Sequence, residues 1–458
     1  MTFFNRPPKP GVEKRAPTRV EKTAAVETAE TAPNVITLPH ADAAITLYKE
    51  YLAGQSAKAE RAQEDAAELQ EVFNTYVEQA LARTEVYESK ELGVSFPSSS
   101  VNIAELAKAL YKKKTGEDSE INEARMPRET LAQKKFVFGS ALGPADGDPF
   151  MFAEETMHEI VTRLPQALKD LQEGREPEPF EVYTAGMPTN TLGHISPEFL
   201  AQIQADPVDA MSDMYAEFMQ SKLPETNTTP SDVQQIVQIY GISMGAGFSA
   251  RAGEKLLERG QATQDFKQAQ TKHLPYLQIK AMVPVSLSES DTKRQIYPGF
   301  VADGAYNMFT NPAVKKIGAG IPAFQKAASS ALAKKNIHEQ MENGEKERKS
   351  EALKKIIFNL HHEISLNPDT KITTVSGLYD LTSYTSEFNL RAIDHRESTD
   401  GSSLGRALVS NTTGEHTNRR DFSAEMGHTI PFFRESEFRR MEATAKSMQN
   451  LRNTERAA

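Results

Sequence analysis

The chain has 458 residues, 38% of them hydrophobic, a formal net charge of -10 and no cysteine. That length allows one large domain with an appendage, or two or three smaller domains, and the apolar content supports a sizeable core with part of the chain left outside it. The missing cysteines exclude disulfides, cysteine nucleophiles and thiolate metal sites, and the acidic balance argues against a general nucleic-acid binder or attraction to an anionic membrane.

Residues 1–38 are rich in Pro, Lys, Glu, Thr and Ala, and are expected to form a disordered tail. Met1 to Pro8 lack the apolar core of a signal peptide. No run approaches the roughly 18 apolar residues of a membrane span. The absence of cysteine favours a cytoplasmic location, although a secreted protein without cysteine would look the same. Residues 41–92 read as helix, with Leu69, Val72, Phe73 and Val77 on one stripe, and 101–113 as another helix. Together they make a helical N-terminal extension over 39–130, read either as a cap on the following domain or as an arm for a protein partner or self-association.

From residue 131 the pattern alternates between strand and helix, as expected of a mostly parallel sheet with crossover helices. Strand Lys135–Phe138 leads into the small-residue turn Gly139–Gly147, and a helix over 153–173 follows. Strand 179–184 leads to a loop at 185–195, then to a helical block over 196–222 broken at Asp206-Pro207. Strand 235–240 meets Gly241-Ile242-Ser243-Met244-Gly245, and a helix-like run begins near Ala252. A strand at 277–285 is followed by 287–365, where the helical, charged stretch 323–363 has no evident strand. Strand character returns at 371–375 and 406–409, and a helix over 435–448 closes the chain.

Strand, G-x-S-x-G, helix is the context in which that motif carries meaning. A serine on a turn too sharp for flanking side chains needs glycine on both sides and is thrust out at the top of a sheet. The other reading of the stretch is an ordinary glycine-rich strand-to-helix turn.

Residues 130–445 resemble the α/β-hydrolase superfamily in motif and element order. The resemblance implies a nucleophile, an acid after a late strand, and a histidine before the last helix, in that chain order. It assigns Ser243 as nucleophile. Asp380, in Ser376-Gly377-Leu378-Tyr379-Asp380, is the acid; its other reading is a turn carboxylate. His428, in Gly427-His428, is the base, with His416 and His395 as alternatives among the 10 histidines. A serine hydroxyl needs an imidazole to take its proton, and the imidazole needs a carboxylate to orient it.

The oxyanion hole needs two main-chain donors. Met244 supplies one. Ser140, with Ala141 as alternative, supplies the other from the turn after 135–138, where the family's histidine is replaced by Phe138-Gly139-Ser140. A rival turn at 185–189 would leave no strand between the oxyanion strand and the nucleophile strand. With 135–138 in that role the order is strand, helix, strand, helix, elbow, and Gly193-His194-Ile195-Ser196 resembles the loop after the middle strand.

No metal or cofactor site is expected. Adjacent His361 and His362 point about 100° apart on a helix and do not form a metal pair. The expected architecture is an α/β-hydrolase domain in two parts, 131–286 and 366–450, separated by a helical lid over 287–365. The expected activity is hydrolysis of a small-molecule carboxylic ester or thioester through an acyl-enzyme. An acyltransferase using the same triad and a non-catalytic scaffold with this fold are the competing classes.

Overall fold

A computed structural model describes residues 39–55, 58–118, 130–140, 153–186, 188, 194–223, 233–282, 370–377, 418–423 and 435–457, all within one compact unit spanning Ile36–Ala458. In chain order the elements are α1 (Pro39–Ala53), α2 (Ala62–Ala82), β1 (Glu85–Ser89), β2 (Val94–Asn102), α3 (Ile103–Thr115), β3 (Thr130–Ser140) and α4 (Ala153–Gln172). Next come β4 (Phe180–Ala185), β5 (His194–Ile195), α5 (Pro197–Ala205), α6 (Pro207–Lys222), β6 (Val233–Ser243) and α7 (Met244–Glu258). The series ends with α8 (Phe266–Lys272), β7 (Tyr276–Met282), β8 (Ile372–Gly377), β9 (Asn418–Ser423) and α9 (Glu435–Ala457).

The strands form one sheet in the order β1-β2-β4-β3-β6-β7-β8-β9, with the two-residue β5 paired to β2. Pairing is antiparallel at β1–β2 and β2–β4, and parallel from β4 through β9. Side chains alternate between the two faces, as strand geometry requires. Val137, Phe180 and Val182 face a core built with α1, α2, α3, α4 and α9. Phe136, Phe138, Val237, Ile239, Leu277 and Ile279 face a second core built with α5, α6 and α7. Helices on both faces of a mostly parallel sheet is the three-layer solution that buries such a sheet on both sides.

Local chemistry sets the boundaries. The break in the helical block at 206–207 is real: the Asp206 carboxylate accepts from Asp209 N–H at 3.0 Å, and Pro207 occupies the first helical turn of α6. Ser196 caps α5 in the same manner, accepting from Phe199 N–H at 3.1 Å. Gly116 ends α3 in the left-handed region (φ 73°), which glycine enters at no steric cost.

Two expectations need correcting. The stretch read as helix over 41–92 ends its second helix at Ala82, and β1 takes 85–89. Its ladder partner is β2, which in turn pairs with β4, so the 39–130 block contributes two strands to the main sheet as well as three helices to one core. Pro97 sits inside β2 without breaking it. The β4 ladder begins at Ser98 and the β5 pairing stops at Ser95, so no partner on that side requires the amide hydrogen that proline lacks. The second correction is β9 at 418–423, which carries no apolar β pattern and was not expected as a strand. The tail 1–38, the stretch 287–365 and the strand expected at 406–409 lie outside the described residues.

α9 is fastened to α4 by an unusual pairing. Pro165 lies inside α4 and cannot donate to the Val161 carbonyl one turn back. The buried Thr444 hydroxyl of α9 lies 3.2 Å from that carbonyl and 2.9 Å from Arg440 O of its own helix. Thr444→Val keeps the shape and removes the donor, and is expected to destabilise the fold by about 1–3 kcal/mol. Urea unfolding reads this directly; an unchanged midpoint would mean the Val161 carbonyl is satisfied another way.

Candidate active site

The six parallel strands all end at the same edge of the sheet, and open α/β sheets bind ligands outside that edge. One row of register partners crosses it: Gly139, Ile242, Met282, Val375 and Asp421. One residue further on, Ser140 of β3 pairs with Ser243 of β6, the last pair of their ladder. Two of the expected site residues, far apart in sequence, are thus main-chain neighbours in the middle of the sheet.

The strand becomes helix without a loop. β6 runs through Ser243, and α7 starts at Met244. The Met244 N–H is therefore among the first-turn amides that have no partner within the helix, at the positive end of a 15-residue helix. Packing explains the small residues around it. A Cβ at Gly241 would lie 2.5 Å from Ala246 Cα, 2.7 Å from the Gly245 carbonyl and closer still to Ser249 Oγ. A Cβ at Gly253 would meet Ile279 Cδ1 at 2.6 Å and Ile239 Cδ1 at 3.1 Å. Glycine at 241 lets the first turn of α7 fold back over the end of β6, and glycine at 253 seats the helix on the sheet.

β3, not β4, adjoins β6, and β4 is one strand further out. The observed order β3, α4, β4, α5–α6, β6 has the expected strand, helix, strand and helix ahead of the strand that carries Ser243. Asp380 lies three residues beyond Gly377, the end of β8, and His428 lies five beyond Ser423, the end of β9; both fall outside the described residues, as do Ala141, His395 and His416. At Ser140, Ser243 and Met244 the description extends to the main chain.

Beneath this edge, on the α4 face, lies a charge network that the sequence reading missed. Lys135 of β3 is fully buried, and its ammonium donates to Glu155 at 2.9 Å and to Glu159 at 3.0 Å, both on α4. Arg163 donates to Glu159 at 2.8 Å. The Lys135 ammonium also sits 3.6 Å from the centre of the Tyr240 ring of β6. Burial by itself would discharge Lys135, but Glu155, Glu159 and Tyr240 outweigh it and hold the lysine above its ordinary pKa. For Glu159, burial opposes ionisation, while Lys135 and Arg163 prevail and bring the carboxyl down to about 2. Its stabilising contribution is complete above the unfolded-state value and is lost as pH falls towards 2. The available signal was a lysine within an apolar strand, followed by two glutamates four apart on the next helix.

Among the described residues no cluster of three or more histidines or carboxylates could hold a metal ion, and no helix is long and apolar enough to cross a membrane.

No protein-family model and no curated protein matches the chain. Solved structures similar to it include a hyperthermophilic esterase from the archaeon Pyrobaculum calidifontis, at 12% identity and TM-score 0.31, covering 87% of this chain and 93% of that one. Another is the α/β hydrolase GrgF from Penicillium sp. sh18, at 13% identity and TM-score 0.29, covering 80% and 98%. A third is the thioesterase domain SrfTE, which cyclises the lipopeptide surfactin, at 12% identity and TM-score 0.28, covering 69% and 90%. The chain's own strand order and crossovers make an α/β architecture: a mostly parallel sheet between two helical layers, with the G-x-S-x-G segment joining a middle strand to its helix.

Proposed function

We propose that the protein is a serine hydrolase that cleaves a carboxylic ester or thioester through an acyl-enzyme, with Ser243 as nucleophile, His428 as general base and Asp380 as the carboxylate that orients it. The observation that carries this reading is the pairing of Ser140 with Ser243 at the carboxyl edge of the sheet, with α7 beginning at the next residue. Main-chain N–H groups of Met244 and Ser140 then serve as the oxyanion donors, one on each of two adjacent strand ends.

Chain reach supports the two distant partners. β8 is two strand spacings from β6, about 10 Å, and three extended residues past Gly377 span about 10 Å. β9 is three spacings away, about 14 Å, and the five residues from Ser423 to His428 span up to about 17 Å. The same register speaks against His416. It precedes Asn418, the first residue of β9, which pairs with Ile372 four rows below the level of Ser243. That is about 13 Å down and about 14 Å across, too far for two residues of chain to bridge.

In the cycle, His428 takes the Ser243 proton as Oγ attacks the acyl carbon, and the oxyanion is held by the Met244 and Ser140 amides. His428 then returns the proton to the departing alcohol or thiol. Water, activated by the same imidazole, releases the acid and restores the serine. The chain between β7 and β8 departs from this edge, and the helical lid over 287–365 belongs over the site in this reading, where it would shape the acyl pocket. The substrate in this reading is a small-molecule acyl ester, the protein acts in the cytoplasm, and no cofactor takes part. Protein partners or self-association would use the N-terminal helices.

Ser243→Ala tests the reading: it should fold as the wild type does and lose turnover of a p-nitrophenyl ester by on the order of 10³- to 10⁶-fold. Unchanged turnover would remove the enzymatic assignment. An acyltransferase would share the phenotype, and is told apart by adding an acceptor alcohol and measuring ester formed against acid released.

A further inference from the structure

We propose that Lys280 is an electrostatic supporting residue of the active site, a cation held beneath the strand end that carries Ser243; this rests on the serine-hydrolase reading above. Two carboxylates and three cations meet on the α4 face of the sheet. Lys135 and Arg163 match Glu155 and Glu159 charge for charge. Lys280 of β7 is a third cation beside them, and its charge helps keep Glu155 ionised without pairing with it. Its ammonium donates to the Tyr240 hydroxyl and lies 4.8 Å from the centre of that ring, and among the described residues no carboxylate comes within ion-pair distance of it. A phenol supplies a dipole and a ring face, which hold an ammonium in place without cancelling its charge.

The placement is defined by register. Lys280 pairs with Tyr240, and Ser243 lies three residues further along β6 towards the carboxyl edge. Three residues up and one strand across put the two main chains about 11 Å apart. The Tyr240 side chain, in contact with the ammoniums of both Lys135 and Lys280, fixes where the charge sits. In a part-buried setting a unit charge at this range favours a new negative charge by roughly tenfold in rate. The ester substrate is neutral where the tetrahedral intermediate is anionic, so the effect falls on the chemical step and not on binding. Lys280 touches neither substrate nor reacting atoms; it acts by its charge alone.

The test uses the full chain and p-nitrophenyl butyrate. Lys280→Met should lower kcat by about five- to twentyfold with KM within twofold, and Lys280→Arg, which restores the charge, should recover at least half of the wild-type kcat. Should the methionine variant fail to fold, Lys280→Gln carries the same measurement. Wild-type kcat in the neutral variant, or equal losses in the methionine and arginine variants, would overturn the proposal, the second outcome pointing to packing rather than charge. Ser243→Ala is assayed beside them. If it is inactive while Lys280→Met is normal, only the Lys280 proposal fails; if it is fully active, the serine reading fails and this proposal falls with it.

Discussion

His428→Ala is expected to reduce ester turnover by on the order of 10³- to 10⁶-fold, while His416→Ala leaves it within about threefold. The two histidines are twelve residues apart and sit on opposite sides of β9 in the chain, which makes the contrast a test of topology as much as of chemistry. His428 follows the carboxyl end of β9, the end shared with Ser243, whereas His416 precedes its amino end. An imidazole must reach within hydrogen-bond distance of the serine hydroxyl to act as base, and the proposed reading gives that role to His428, which follows the carboxyl end of β9. The nucleophile is useless without its base, so the loss should approach that of Ser243→Ala instead of adding to it. Steady-state kinetics on both variants decides. A dead His416→Ala beside an active His428→Ala would reject the register of β9 or the base assignment.

Gly241→Ala is expected to destabilise the protein by about 3–5 kcal/mol or to prevent folding, since an added methyl there meets a closer contact than one at Gly253. Its cause is overlap, not conformational freedom. The added carbon would press on Ala246 Cα and the Gly245 carbonyl, both main-chain atoms of α7, in addition to Ser249 Oγ. A flexible side chain could turn away, but a helix's first turn cannot move without leaving the end of β6. The double variant Gly241→Ala/Ser249→Ala separates these causes. If backbone overlap dominates, removing the Ser249 hydroxyl recovers little; a full return to wild-type melting temperature would place the whole conflict on that hydroxyl. The first glycine of G-x-S-x-G thus has a packing role in this chain that holds whatever chemistry follows.

The inner sheet was legible because buried parallel strands read as compact apolar runs. Phe136-Val137-Phe138 and Ile236-Val237-Gln238-Ile239 announce β3 and β6, and the β7 and β8 segments were found within a few residues of their ends. Asp206-Pro207 marked a helix break because capping and the missing proline amide act locally. The outer strands were not legible. β9 reads Asn-Arg-Arg-Asp-Phe-Ser and owes its strand to main-chain pairing with β8, a partner supplied from more than forty residues away. β1 follows a strong helix with no apolar alternation, and becomes a strand because β2 turns back on it.

The candidate site divides the same way. The placement of Ser243 and Ser140 at the ends of adjacent strands followed from one motif and the order of elements, whereas α7 begins at Met244, well before the helical run read near Ala252. The network of Lys135, Glu155, Glu159, Tyr240 and Lys280 could not be read that way, because it is assembled from four elements spread over nearly 150 residues. Each of those residues looks like an ordinary surface charge or core ring until the strands are set in register.

The most direct test of the account is mass spectrometry of the intact protein after treatment with a fluorophosphonate, which bonds covalently to an activated serine. A single adduct on the peptide carrying Ser243, abolished in Ser243→Ala and in His428→Ala, is the predicted result. No adduct under conditions that label a control serine esterase, or an adduct on another serine that persists in Ser243→Ala, would contradict it.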